Sequence, residues 1–198
     1  MPLSRVTRTP IHQLRVELRG SRPAIWRHLE VQGTMALPRL HATLQALMGW
    51  LDYHLHAFVV GGVTYGAPEL LDDLAHEDGT LVRLRAVAPR VGARIAYNYD
   101  FGDDWWLDLI VEAIGPPDPA ARYPRCTAGA LATPPEDVGG VHGYADFRRG
   151  LRDPRHPEHA AWVAWAGGDF DPAAFDVARA NARLRGPWPR GHPPVGDR

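Results

Sequence analysis

Two histidines and a group of carboxylates are the residues of this chain that could do chemistry. His54 and His56 stand two apart. On a strand, successive side chains alternate, so both would leave one face at a spacing that can chelate a metal. Further ligands could come from Asp100, Asp103, Asp104, Glu136, Asp137 or Cys126. Mixed histidine and carboxylate ligation suits zinc, manganese or iron. The metal set read from spacing is His54, His56 and Asp103, and a divalent metal is the cofactor it would take. The plain alternative has Leu55 and Phe58 packing inward while both histidines sit at the sheet surface.

The acids lie in two unusual segments. Tyr97-Asn98-Tyr99-Asp100-Phe101-Gly102-Asp103-Asp104-Trp105-Trp106 crowds aromatics and carboxylates around one glycine, between two runs that read as strands. A type II turn would place Gly102 at positive φ, with the aspartates capping backbone amides. Asp104 and the two tryptophans exceed what a turn needs. Pro134-Pro135-Glu136-Asp137-Val138-Gly139-Gly140 joins rigid prolines, two acids and two permissive glycines, a composition that can present carboxylates or turn a tight corner. The candidate cleft therefore comprises His54, His56, Tyr99, Asp100, Asp103, Asp104, Trp105, Glu136 and Asp137. Cys126 lacks a local partner that would activate it, apart from Arg125, and reads as a buried, inert thiol.

Composition narrows the chemistry. All 22 basic residues are arginine. With no lysine there is neither Schiff-base chemistry nor a P-loop. The two serines, Ser4 and Ser21, lie outside any nucleophile-elbow context, which excludes an ordinary serine hydrolase. A formal net charge of −1 provides no global field toward nucleic acid or an anionic membrane. Arginine and aromatics alternate around Trp26-Arg27-His28, and such a sheet face can stack bases, but seven tryptophans in 198 residues must mostly serve the core. No apolar run spans a bilayer, the N-terminus lacks a signal-peptide core, and a single cysteine fits the cytoplasm.

The elements that must position these groups read as α+β: an antiparallel sheet of about five to six strands with several packed helices. Strands are expected over Ile11–Leu18, Ile25–Val31, His56–Val60, Val63–Tyr65, Arg94–Asp100 and Trp105–Ile114. Leu37, Leu40, Leu44, Leu47 and Leu51 recur at helical spacing, with Pro38 in the first turn and an end near Gly49. A short helix suits Leu81–Ala88. Residues 115–143 read as one long Pro- and Gly-rich loop. Helices follow near 144–152, 158–166 and 172–184, the last capped at Asp171-Pro172. Residues 1–10 read as a leader, 11–185 as one domain, 186–198 as a tail, and Glu69–Gly79 as an exposed acidic segment.

Five islands together resemble the plasmid pRiA4b ORF-3-like family. They are Pro23-Ala24-Ile25-Trp26-Arg27; Met48-Gly49-Trp50 with His54-Leu55-His56-Ala57-Phe58; Tyr97 to Trp105; Cys126 with Gly129; and Pro134 to Gly140, running on to Gly143-Tyr144. The resemblance spans roughly residues 11 to 184. It implies an α+β fold and a mobile-element association, on plasmids or as an insertion-sequence passenger (some labelled TnpR), and no particular reaction. Relatives often carry a histidine after the tryptophan region, where this chain has Trp106-Leu107-Asp108. The leading expectation is a binding or interaction module whose partners are nucleic acid or a mobile-element protein, away from membranes. The alternative is a metal-dependent hydrolase using the Asp/Glu/His cluster. A positive surface patch would favour the first; His and Asp side chains within ligand distance would favour the second.

Overall fold

The computed structural model describes residues 9–66, 76–168 and 170–187. Most of the leader, the acidic segment up to residue 75 and the tail beyond residue 187 lie outside the described residues. The strands are β1 (Ile11–Leu18), β2 (Trp26–Gln32), β3 (His56–Val60), β4 (Val63–Gly66), β5 (His76–Asp78), β6 (Arg94–Tyr99), β7 (Trp105–Gly115) and β8 (Arg125–Ala130). They form one sheet in the order β5-β4-β3-β6-β7-β1-β2-β8. All neighbours are antiparallel except β4 and β5.

Alternation decides which face each residue takes. Leu14, Val16 and Leu18 of β1 are buried, as are Trp105, Leu107, Leu109 and Val111 of β7, while Arg15, Glu17, Trp106 and Asp108 sit between them at intermediate exposure. Onto the buried face pack the apolar stripes of α1 (Leu37–Met48), α3 (Gly140–Arg152) and α5 (Val177–Arg185). Two short helices, α2 (Leu84–Val87) and α4 (His159–Trp165), complete the set. Among the described residues no helix is long and apolar enough to cross a membrane.

The α+β expectation stands, with two strands more than expected among the described residues. β5 is only three residues long. β8 lies inside the segment read as one long loop; its sequence, Arg-Cys-Thr-Ala-Gly-Ala, has no alternating apolar pattern. It forms by pairing with β2. Asn181 of α5 then serves its outer edge, accepting from the Cys126 backbone N–H at 2.9 Å and donating to the Cys126 carbonyl at 2.7 Å, which occupies backbone groups an open edge would expose. Cys126 is buried, and burial raises its thiol pKa.

α1 begins and ends as expected, with Pro38 in its first turn and Gly49 left-handed at φ 81°. α5 does not begin at Asp171-Pro172. Asp176 is its N-cap, accepting from the Arg179 N–H at 2.8 Å, whereas Asp171 caps a separate turn through Ala173 N.

Candidate functional site

The β6–β7 hairpin brings the first acids into place, by a different device from the type II turn. Gly102 is not among the residues with positive φ; the left-handed positions are Asp100 and Asp104, both at φ 55°. Asp100 Oδ1 accepts from Gly102 N at 3.0 Å and from Asp103 N at 3.3 Å. Aspartate tolerates this backbone because its short side chain bonds locally. The positive φ expected at Gly102 falls instead on the two aspartates.

The 131–139 loop is fastened to this hairpin and to the end of α1. Trp50, stacked on Tyr99 and tilted against Trp105, donates its indole N–H to the Pro134 carbonyl at 3.1 Å. Glu136 uses both oxygens: Oε1 accepts from the Tyr99 hydroxyl at 2.5 Å, and Oε2 from Leu51 N at 2.9 Å. Burial, followed by the Glu136 carboxylate, raises the Tyr99 pKa and keeps the phenol a donor. Asp103 Oδ2 accepts from Gly139 N at 3.1 Å. Asp104 Oδ1 accepts from Asn98 Nδ2 at 3.0 Å and Trp106 Nε1 at 2.7 Å.

Those bonds sort the candidates. Glu136, Asp103 and Asp104 hold the loop and hairpin, with Tyr99 and Trp105 packed beneath. Asp100 and Asp137 are left to meet His54, whose Nε2 lies 3.6 Å from Asp100 Oδ2 and 3.1 Å from Asp137 Oδ1. The three ligand atoms lie within 4.8 Å of one another. Two donors each about 2.1 Å from one ion stand about 3.0–3.4 Å apart at octahedral or tetrahedral angles. The His54–Asp137 pair at 3.1 Å fits that window, and the His54–Asp100 pair at 3.6 Å would have to draw in slightly around an ion. Asp137, with φ 58°, has 67% side-chain exposure against 11% for Asp100, so the group opens to solvent on its loop side.

His56 does not share this site. His54 precedes β3, which begins at His56, so the two do not alternate along one strand, and the set of His54, His56 and Asp103 is not assembled. His56 instead stacks on His41 of α1, ring centroids 3.5 Å apart and planes 4° from parallel. His41, Asp52 and His56 form a second close group, which the sequence reading missed because His41 is a lone histidine on an apolar helix. A network fixes its protons. Asp52 N donates to Gln45 Oε1 at 3.1 Å, and Gln45 Nε2 to the Tyr97 hydroxyl at 2.9 Å. Tyr97 then donates to His41 Nδ1 at 2.7 Å, leaving Nε2–H to donate to Asp52 at 2.8 Å. Both His41 nitrogens are satisfied. Moreover, in-plane lone pairs of parallel stacked rings do not converge on one ion. Burial, then His41, lowers the His56 pKa to about 3. This second group is a hydrogen-bonded polar network, and the His54 group is the better metal candidate.

The plasmid pRiA4b ORF-3-like family model matches residues 10–179. The chain belongs to that family. An uncharacterised protein of Sinorhizobium fredii, y4hQ, is 36% identical over 171 residues, covering 85% of this chain and 88% of its own. A crystal structure of a protein of unknown function from Methanosarcina mazei superposes with TM-score 0.78 at 34% identity, covering 87% of this chain and 98% of the other. The family match thus accounts for the fold, and these relatives are themselves uncharacterised.

Proposed function

We propose that this family member binds one divalent cation between His54, Asp100 and Asp137 and acts as a metal-dependent hydrolase. The observation that carries the reading is the position of His54 Nε2, facing one oxygen of each aspartate at 3.1 and 3.6 Å. Three protein ligands with an open side is the arrangement catalytic sites use to keep a place for water or substrate. A cation bound there would lower the pKa of its water and so supply a nucleophile near neutral pH. The chain's own residues then have defined parts. Asp100 is oriented by two backbone N–H donors on its other oxygen, and Tyr99 with Glu136 holds the loop that carries Asp137. This mirrors the second layer that orients ligands at metal sites.

The binding-module reading is less well supported. On the sheet face away from the helices, Arg15 lies over Trp26 and Arg19 over Trp106, a motif that could stack bases. Each arginine is already paired, Arg15 with Glu17 and Arg19 with Asp108, which removes the positive field that nucleic-acid binding needs. Within the proposal the protein is a cytoplasmic accessory of a mobile element. The test is a panel of chromogenic esters and phosphoesters assayed with added zinc, manganese or iron(II). The expected result is metal-dependent turnover that falls at least about 100-fold in Asp100→Asn, the scale of a lost transition-state interaction. Turnover equal in wild type and Asp100→Asn would refute it.

A further inference from the structure

A cavity of about 390 Å³ lies between α5, the C-terminal end of α1, residues 132–133, Ala166 and residues 170–176. Arg27, Thr133, Phe170, Phe175, Arg179 and Arg183 are among the residues lining it. Arg27 is only 2% exposed. Its guanidinium donates to the carbonyls of Trp26, Ala130 and Leu131 and to the Thr133 hydroxyl, and its Nε has no partner. Arg183 donates to the carbonyls of Ala46 and Leu47. Among the described residues, neither guanidinium is bonded to a carboxylate. Burying cations in this way is costly unless an opposite charge joins them. Here burial lowers both arginine pKa values, Arg27 to about 10, and the neighbouring Arg179 lowers that of Arg183 further.

We propose that this cavity binds a small organic anion, its carboxylate or phosphate head on Arg27, Arg179 and Arg183 and its apolar body against Phe170 and Phe175. The volume is within the range of small-molecule sites. Phe175 is held in place by Arg27, whose guanidinium carbon is 4.2 Å from the ring centroid, and by Gly129, where a Cβ would come within 2.6 Å of the ring. Among the described residues, the acids on the lining are Asp171 and Asp176, which are exposed and accept backbone N–H bonds from Ala173 and Arg179. Water therefore screens them better than it screens the buried Arg27. Arg27 has its Nε–H left to donate, and the Arg179 guanidinium fork suits either carboxylate or phosphate; the lining does not choose between the two heads.

The test is calorimetric titration with phenyl phosphate, benzoate and, as a neutral control, benzyl alcohol. We expect one of the anions to bind with a stoichiometry of one, and the stronger of the two names the head group. Arg179→Gln and Arg183→Gln, which leave buried Arg27 in place, should each weaken that anion about tenfold, the loss of one charge-assisted contact. Arg183 also holds the end of α1, so Arg179→Gln is the variant that tests the contact apart from the fold. His54→Ala should bind it as wild type does. Benzyl alcohol binding as tightly as the anions would overturn the proposal, as would wild-type affinity in both arginine variants. Loss of binding in His54→Ala would overturn it too, because the anion would then belong to the metal cleft.

Discussion

Asp100 uses its two oxygens for two different tasks: Oδ1 caps the hairpin through Gly102 and Asp103, and Oδ2 faces His54. Asparagine tolerates the same left-handed backbone and can keep the caps through its oxygen. Asp100→Asn is therefore expected to keep thermal stability within about 1 kcal/mol, as mild substitutions do, while losing metal. A melt lowered well beyond that would show the carboxylate to be structural. His12 gives a pH prediction. It is 3% exposed, with Nε2 3.1 Å from the Ala88 carbonyl, and burial lowers its pKa against the opposing pull of that carbonyl. The unfolded chain then takes up a proton at higher pH than the folded one. The contribution is complete above about pH 6.5, the free histidine value, and is lost as pH falls through the lower folded value, with a slope up to about 1.4 kcal/mol per pH unit. Denaturant titrations between pH 7 and 4 should show this loss, and His12→Gln should flatten it.

The loop and the hairpin work as one unit because glycines let them touch. Gly140 has φ 68°, and a Cβ on it would come 2.4 Å from the Asp103 carbonyl oxygen. Gly140→Ala is thus expected to cost about 1–3 kcal/mol and to weaken metal binding by displacing Asp137. Unchanged affinity with a lowered melt would uncouple the loop from the site. At this scale the sequence was partly legible. Alternating runs gave β1, β2, β6 and β7 near their true ends, and heptad-like leucines gave α1. β8 was invisible because Ala, Gly and Thr carry no period and its pairing with β2 and Asn181 is non-local. The start of α5 was misplaced because Asp171 and Asp176 are both good caps, and only tertiary packing selects the second. The carboxylates of the cleft were legible as residue types. Their division between holding and facing His54 was not, since it depends on which backbone N–H groups each oxygen meets. The wrong pairing of His54 with His56 came from extending strand alternation to His54, which lies before the strand expected and found over His56–Val60.

Across the whole molecule, the islands that carry the family resemblance gather at two places. Trp50, the Tyr97–Trp105 hairpin and the Pro134–Gly140 loop meet at the His54 cleft. Arg27 and Gly129 meet at the arginine cavity. The 131–139 loop joins them, with Thr133 on the cavity and Asp137 on the cleft. The central claim is the cation held by His54, Asp100 and Asp137. Calorimetric titration of zinc into metal-free protein tests it most directly, on wild type, His54→Ala and His56→Ala. The account expects one equivalent bound with proton release. It also expects more than about 100-fold weakening in His54→Ala, beyond the cost of an outer-shell change, and near wild-type affinity in His56→Ala. No binding in wild type, or binding that survives His54→Ala and is lost in His56→Ala, would contradict it.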